Sequence, residues 1–439
     1  MERAMTTRLT ITAGWESLES GPPEERACFA AVGIQAHDRW LTEGRDAIAN
    51  RLRLQPYLSA YHLAEWLAWN WWRLRWEPRS RASDWDSAHR ISSIGGGYIW
   101  PNITIFSDGE RTALSAKPTV EQAQTPFRYI SDTAAVIPAP EFESELDRFI
   151  GEVIERLDGE GVKETNLHTV WKSIREERGD PEEAQKRKLE ALLGNDPDKA
   201  DENAIRQLLI DAEQLSGSAV EEIAAEHGHG GGILTAAELV DIAKRCGFDG
   251  SSRNAARLDR PVQFPKRGLI PAWVIGRDTA RALREQLHLG AQPVPDKELA
   301  EFGGASLDVL ESGTVGPNIA FVHDEESVNS KIVLRSKWRT GRRFEFARLI
   351  GDRLTNENGG NLLPATRANT YRQKAQRSFA AEFLSPFEAV EGMLAGDYSN
   401  ESQLDVAEHY NVSPLTIRTL LVNNGRMDRQ DLDEELEAA

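Results

Sequence analysis

The residues best spaced to do chemistry together lie in "RRFEFARLIGDRL", Arg342 to Leu354. Glu345, Arg348 and Asp352 are three and four apart, so on a helix they share one face. The spacing is that of a zinc peptidase helix of the H-E-x-x-H kind, which needs two histidines four residues apart and a glutamate beside the first. Here Arg348 and Asp352 stand at the histidine positions and Leu349 at the glutamate position. Catalytic zinc requires three protein ligands, a bound water and a base to activate it. One carboxylate cannot supply that set. A guanidinium stays protonated and has no acceptor lone pair, so it repels a cation. This face is therefore expected to form a Glu345–Arg348–Asp352 ladder of ion pairs, or to recognise an anion such as a phosphate, nucleotide or carboxylate. No catalytic residue, metal ligand or cofactor is expected on it.

The helix lies in a local excess of positive charge. Lys331 to Arg353 holds eight basic residues against Glu345 and Asp352. The whole chain has 52 basic and 70 acidic side chains, a net charge of −18. That balance speaks against indiscriminate binding to nucleic acid or anionic membranes. The local run is nonetheless a candidate nucleic-acid footprint through Arg339, Arg342 and Arg343, or a docking face for the acidic middle of the chain. Further on, "HYNVSPLTIRTLL" reads as the second half of a helix-turn-helix, where Arg418 is a candidate DNA contact.

The 439 residues, 40% hydrophobic and 28% charged, are enough for two or three domains with cores of their own. The expected class is α+β. Residues 1–135 read as a Trp-rich α+β domain. "LTITAGW" alternates like an edge strand, and "GGGYIWPNITIFSDGERTALSA" reads as a hairpin. "AYHLAEWLAWNWWRLRWEP" puts Trp66, Trp69, Trp72 and Trp76 on one helical face that Pro78 ends. Residues 136–268 read as a helical, acidic middle region, opened by "EFESELDRFIGEVIERL" with Phe142, Leu146, Phe149, Ile150 and Ile154 on one face. Residues 269–428 read as helices alternating with the strands "IAFVHDEE" and "SKIVLRSKW", and place Phe379, Phe383 and Phe387 on one helix toward a core. Residues 429–439 form an acidic tail.

Other clusters read as structure. The tryptophan stripe beside Arg73, Arg75, Arg79 and Arg81 has the composition of a single-strand stacking platform, but burial of a helix face explains it more simply. Glu226, His227 and His229 sit on a glycine-rich break, a poor ligand geometry. They read as a helix end, with Thr235 capping the next helix. His62, His89, Asp84 and Asp86 show no motif spacing. Cys28 and Cys246 are too few and too far apart for a disulfide scaffold, which fits a reducing cytosol. No apolar run approaches a transmembrane length and the start lacks a signal-peptide core, so a cytoplasmic protein with no membrane partner is expected.

Four segments in order, "GRDTARALREQL", "RRFEFARLIGD", "FAAEFLSP" and "VAEHYNVSPLTIRTLL", resemble the ImmA/IrrE family of bacterial and phage metallopeptidase-like proteins, over roughly residues 270–428. The resemblance implies a zincin-like helical domain with a small sheet. In active members the first helix carries H-E-L-G-H, and a further acidic ligand lies four residues before the phenylalanine of F-A-A-E. Those positions are Arg348, Leu349, Asp352 and Ala375 here, and only Gly351 of the core motif is kept. The later helix would bring Arg372, Lys374, Gln376 and Arg377 to the same place. The implied site is a pseudo-active cleft of Glu345, Arg348, Asp352, Arg372, Lys374 and Gln376. The implied role is that of a non-catalytic bacterial regulator in stress response, toxin–antitoxin pairs, mobile-element control or phage defence. Its partner would be a protein, such as a helix-turn-helix repressor or a toxin, or an anionic ligand. The alternatives are a nucleic-acid-binding module using 331–353, and a metallopeptidase or other hydrolase with an atypical site.

Overall fold

The computed structural model describes residues 9–120, 125–228, 232–311, 317–325, 328–356 and 360–428; the expected tail 429–439 and His229 lie outside them. The chain is mixed α and β with small antiparallel sheets. It divides into two compact units. One holds residues 1–206 with 227–230 and 368–370, the other 207–226, 231–367 and 371–439. The stretch 136–268, expected as a region of its own, is shared between them. Among the described residues no helix is long and apolar enough to cross a membrane.

The strands of the first unit are β1 (Leu9–Trp15), β2 (Phe29–Ala36), β3 (Arg39–Trp40), β4 (Gly44–Asp46), β5 (Arg51–Arg53), β6 (Tyr57–Ser59), β7 (Asn102–Ser107), β8 (Arg111–Lys117), β9 (Phe127–Tyr129) and β10 (Thr133–Pro138). They form three antiparallel sheets: β1-β2-β3 with β6 also on β2, β10-β8-β7, and β5-β4-β9. β1 is an edge strand with Leu9 and Ile11 inward, and β7 with β8 is the hairpin read from the sequence. The tryptophan helix is two helices, α1 (Ala60–Trp69) and α2 (Trp71–Trp76). Asn70 breaks it, with φ −97° and ψ 9° and its side-chain amide donating to the Trp66 carbonyl. Glu77 is extended, as a residue before proline prefers. The break turns both Trp71 and Trp72 into the core, leaves Trp66 and Trp76 half-buried, and leaves Trp69 55% exposed. α3 (Ala139–Gly159) lays Phe142, Leu146, Phe149 and Ile150 on the same core, as its period predicts, with Ile154 at the edge.

Cys28 is fully buried there, 3.9 Å from the Val153 carbonyl, and burial pushes its thiol from 9.0 up to about 12. The unfolded chain therefore releases this proton first. The stability it contributes is complete below about pH 9 and is lost as pH rises toward 12, at about 1.4 kcal/mol per pH unit. Tryptophan fluorescence reports on this unit, since ten of the twelve tryptophans belong to it. Melts followed this way from pH 8 to 11 should show a falling Tm, and Cys28→Ala should flatten the fall. An unchanged slope in the variant would remove the thiol as its source.

In the second unit β11 (Phe248–Ser251), β12 (Ala320–Asp324), β13 (Asn329–Val333) and β14 (Leu362–Ala365) form one antiparallel sheet, ordered β11-β13-β12-β14. The labelled helices are α4 (Ala236–Cys246), α5 (Ala272–Gln286), α6 (Arg339–Thr355), α7 (Tyr371–Leu384), α8 (Phe387–Leu394), α9 (Asn400–Tyr410) and α10 (Pro414–Asn423). Val322, Ile332 and Leu363 lie side by side on one sheet face, in a core with Phe346, Leu349 and Ile350 of α6. Phe321, Val333 and Leu362 point to the other face, which Ala219, Ile223 and Leu239 cover. The sheet is thus buried on both faces, and part of the supposed middle region supplies one covering layer and the edge strand β11. The long helix read through Phe387 is broken at Ser385-Pro386, yet Phe379, Phe383 and Phe387 all reach the core. Thr235 caps α4 in a reciprocal box with Glu238, and His227 ends the helix Gly217–His227.

Candidate functional site

α6 and α7 meet over the end of β14. Gly351 allows the approach, because a Cβ there would stand 2.6 Å from the Phe379 ring. Arg348 and Asp352 share one face of α6, as their spacing requires, and both are buried: Arg348 is 4% exposed and Asp352 0%. The expected ion-pair ladder between them does not form. Asp352 is held by the fork of Arg372, at 2.8 Å from Nε and 2.6 Å from Nη2. Glu345 turns back to the segment entering its own helix. It accepts from the Arg335 and Ser336 backbone N–H, both at 2.9 Å, and from Arg335 Nε at 3.1 Å. Each acid found a partner from another element with better geometry than a neighbour one helical turn away.

Arg348 has neutral partners. Nη2 donates to the Thr366 carbonyl at 2.6 Å, to Gln373 Oε1, and to Gln376 Oε1 at 3.3 Å. Nε is buried with no partner. Gln373 in turn accepts from the Thr366 N–H at 2.9 Å and donates to the Pro364 carbonyl at 3.1 Å, and Gln376 donates to the same carbonyl at 2.9 Å. The two carboxamides thus take backbone groups of β14 and its exit that an added strand would otherwise pair. Burial, then the charge of Arg377, pulls the Arg348 guanidinium down to about 9, with Glu345 and Asp352 only partly offsetting them. Arg377 is itself pulled to about 10 by burial, against the carboxylates Glu222 and Glu226. Glu226 also receives Arg367 from both its backbone and its side chain. Within this cluster Arg348 is a buried cation with no carboxylate bonded to it.

The structure brings Arg348, Asp352, Arg372 and Gln376 together as expected, and leaves Lys374 half-buried on α7. Ala375 is not the residue that faces Arg348. It packs with Ala272, Ile275 and Tyr371, and Gln373 takes its place. Gln373 and Gln376, three apart, share a helical face, which is the signal that was legible and missed. Leu349 points into the apolar core.

The nucleic-acid footprint needs correction. Arg342 and Arg343 are each 1% exposed. Arg342 donates to the Val309 and Ser336 carbonyls, and Arg343 to the Asn411 and Val294 carbonyls and to Asp296. They are internal cross-links whose side-chain nitrogens are all taken by protein acceptors. Arg339 also pairs with Asp296, Lys331 with Asp249, and Arg353 with both oxygens of Asp324. Arg418 donates to Gln403 and Asn400 within the α9–α10 pair.

The other candidates are structural. Arg73 is buried on Glu77, and Arg75 pairs with Glu143 and lies 3.7 Å from the Trp76 ring, so neither arginine is offered to a ligand. His89 is fully buried between the Ile105 carbonyl and Glu77, stacked on Trp85. Asp84 and Asp86 face Arg73 and Arg90, and His62 lies 3.8 Å from Glu25. Among the described residues no group of three or more His, Cys, Asp or Glu side chains is arranged to hold a metal ion.

Comparison of the chain with protein-family models, curated proteins and solved structures found no match.

Proposed function

We propose that the second unit is an ImmA/IrrE-like, peptidase-derived scaffold that works without metal catalysis, as the recognition part of a bacterial regulatory protein. In this reading Arg348 holds an anionic group of the partner or ligand, a carboxylate or a phosphate. One observation carries it. At the position of the first metal-binding histidine stands a buried guanidinium that has only neutral acceptors and an unpartnered Nε. Arg342 is also buried on carbonyls, but all of its nitrogens are taken, whereas Arg348 keeps a buried Nε without a partner, the donor that an anion would use. The contact of Arg348 with Gln376 at 3.3 Å also supports the paired-helix arrangement that the resemblance implies. A nucleic-acid role through 331–353 loses its support with Arg342 and Arg343 inside the unit.

Inorganic phosphate is the probe. A ligand that binds only the folded state stabilises it by about 2.7 kcal/mol at a hundred times its Kd. The wild-type Tm should therefore rise with phosphate at constant ionic strength. In Arg348→Met, which keeps the volume and removes the charge, it should not. A wild-type Tm that rises no more with phosphate than with chloride overturns the anion site.

A further inference from the structure

The small sheet β5-β4-β9 of the first unit has one uncovered face. Its register sets Leu52, Arg45 and Arg128 in one row, with Arg45 directly opposite Arg128. The Thr119 N–H donates to the Tyr129 carbonyl and the Tyr129 N–H to the Thr119 hydroxyl, which places Val120 beside Arg128. Ile130 donates to the Glu43 carbonyl, so the neighbouring row on the same face is Leu54, Glu43 and Ile130, with the acid between two aliphatic side chains. All of this apolar surface is open: Leu52 is 61% exposed, Val120 77% and Ile130 45%. Arg45 reaches only Asn50, and Arg128 has no hydrogen-bond or ion-pair partner among the described residues. The opposite face is the covered one, with Tyr129 buried.

Two features set this face apart from ordinary surface. Like charges directly opposite each other across two strands destabilise a sheet. The chain keeps such a pair although it has 18 more acidic than basic side chains. Adjacent exposed aliphatic side chains mark interaction surfaces more often than scattered ones do.

We propose that this face docks an acidic, partly apolar segment of a partner protein, whose carboxylates meet Arg45 and Arg128 while its apolar side chains cover Leu52, Leu54, Ile130 and Val120. The chemistry selects this occupant. A nucleic-acid backbone would use the two arginines and leave the aliphatic side chains in water. An anionic bilayer would have to accept a chain of strongly negative net charge. A carboxylate fork on arginine gives direction, and the apolar flanks supply the dry contact that interface cores need.

The full chain is titrated against two fluorescein-labelled twelve-residue peptides, one alternating leucine with glutamate and the other leucine with lysine. Saturable binding of the glutamate peptide alone is expected, weakened at least tenfold in Arg45→Glu/Arg128→Glu. A second variant, Leu52→Ser/Ile130→Ser, should weaken it as well. All four positions are exposed, and unchanged melts of both variants verify the fold. Absence of binding by the wild-type chain overturns the proposal, as does binding that neither variant alters. Two further results replace the occupant: sedimentation with phosphatidylglycerol vesicles that Arg45→Glu/Arg128→Glu abolishes, and a wild-type dimer that the same variant dissociates.

Discussion

Gly276→Ala should destabilise the second unit by about 3 kcal/mol, at the upper end of what overpacking costs. A Cβ at 276 would stand 2.1 Å from the Ala375 carbonyl oxygen and 2.7 Å from the Phe379 amide nitrogen. Both are backbone atoms of α7, so no rotamer change relieves the clash, and α5 must move off α7. Ala272 and Ile275 would lose their seat on Ala375 and Tyr371, and the glutamines that hold Arg348 ride on the displaced helix. Urea unfolding followed by circular dichroism measures the cost. A loss below about 1 kcal/mol would mean that the α5–α7 contact has slack that the backbone distances do not show.

Arg372→Met should cost about 3–5 kcal/mol, the range for breaking a buried ion pair from one side. Asp352 is fully buried, and both of its carboxylate oxygens depend on the Arg372 fork. Without it the carboxylate stays desolvated with no cation, and Arg348 cannot swing over without giving up the Thr366 carbonyl and the glutamines. The reciprocal test is the double variant Arg372→Met/Asp352→Leu, which removes both charges and keeps apolar volume. It should recover most of the loss, because a buried pair replaced by apolar residues is often neutral or better. A double variant as unstable as Arg372→Met alone would show that packing around Arg372, and not its charge, is the source.

Much of the local structure was legible. The alternation of "LTITAGW", the turn in "SDGE", the faces of the helices at 139–159 and 272–286, and the Thr235 cap all follow from residues a few positions apart. Such features depend on backbone period and local hydrogen bonding, which any window of sequence contains. Breaks were less legible. Asn70 and Ser385-Pro386 interrupt helices whose apolar period runs on through them, because packing can keep the side chains inward on both sides of a break. Least legible was the edge strand β11, short and weakly apolar, which owes its place to pairing with Asn329–Val333.

The sequence by itself determined that Glu345, Arg348 and Asp352 share a helical face and that this face lacks a zinc ligand set, since residue type and a period of 3.6 decide both. It determined the local excess of arginine, but not which arginines reach solvent. Only the tertiary structure sent Arg342 and Arg343 inward to backbone carbonyls, gave Asp352 to Arg372, and left Arg348 among glutamines at the end of β14. A side chain's partner is set by the element that arrives opposite it. The acceptors of Arg348 lie 18, 25 and 28 residues away, beyond the reach of any local spacing rule. Burial then turned a guanidinium that would be ordinary at the surface into a desolvated cation with only neutral acceptors.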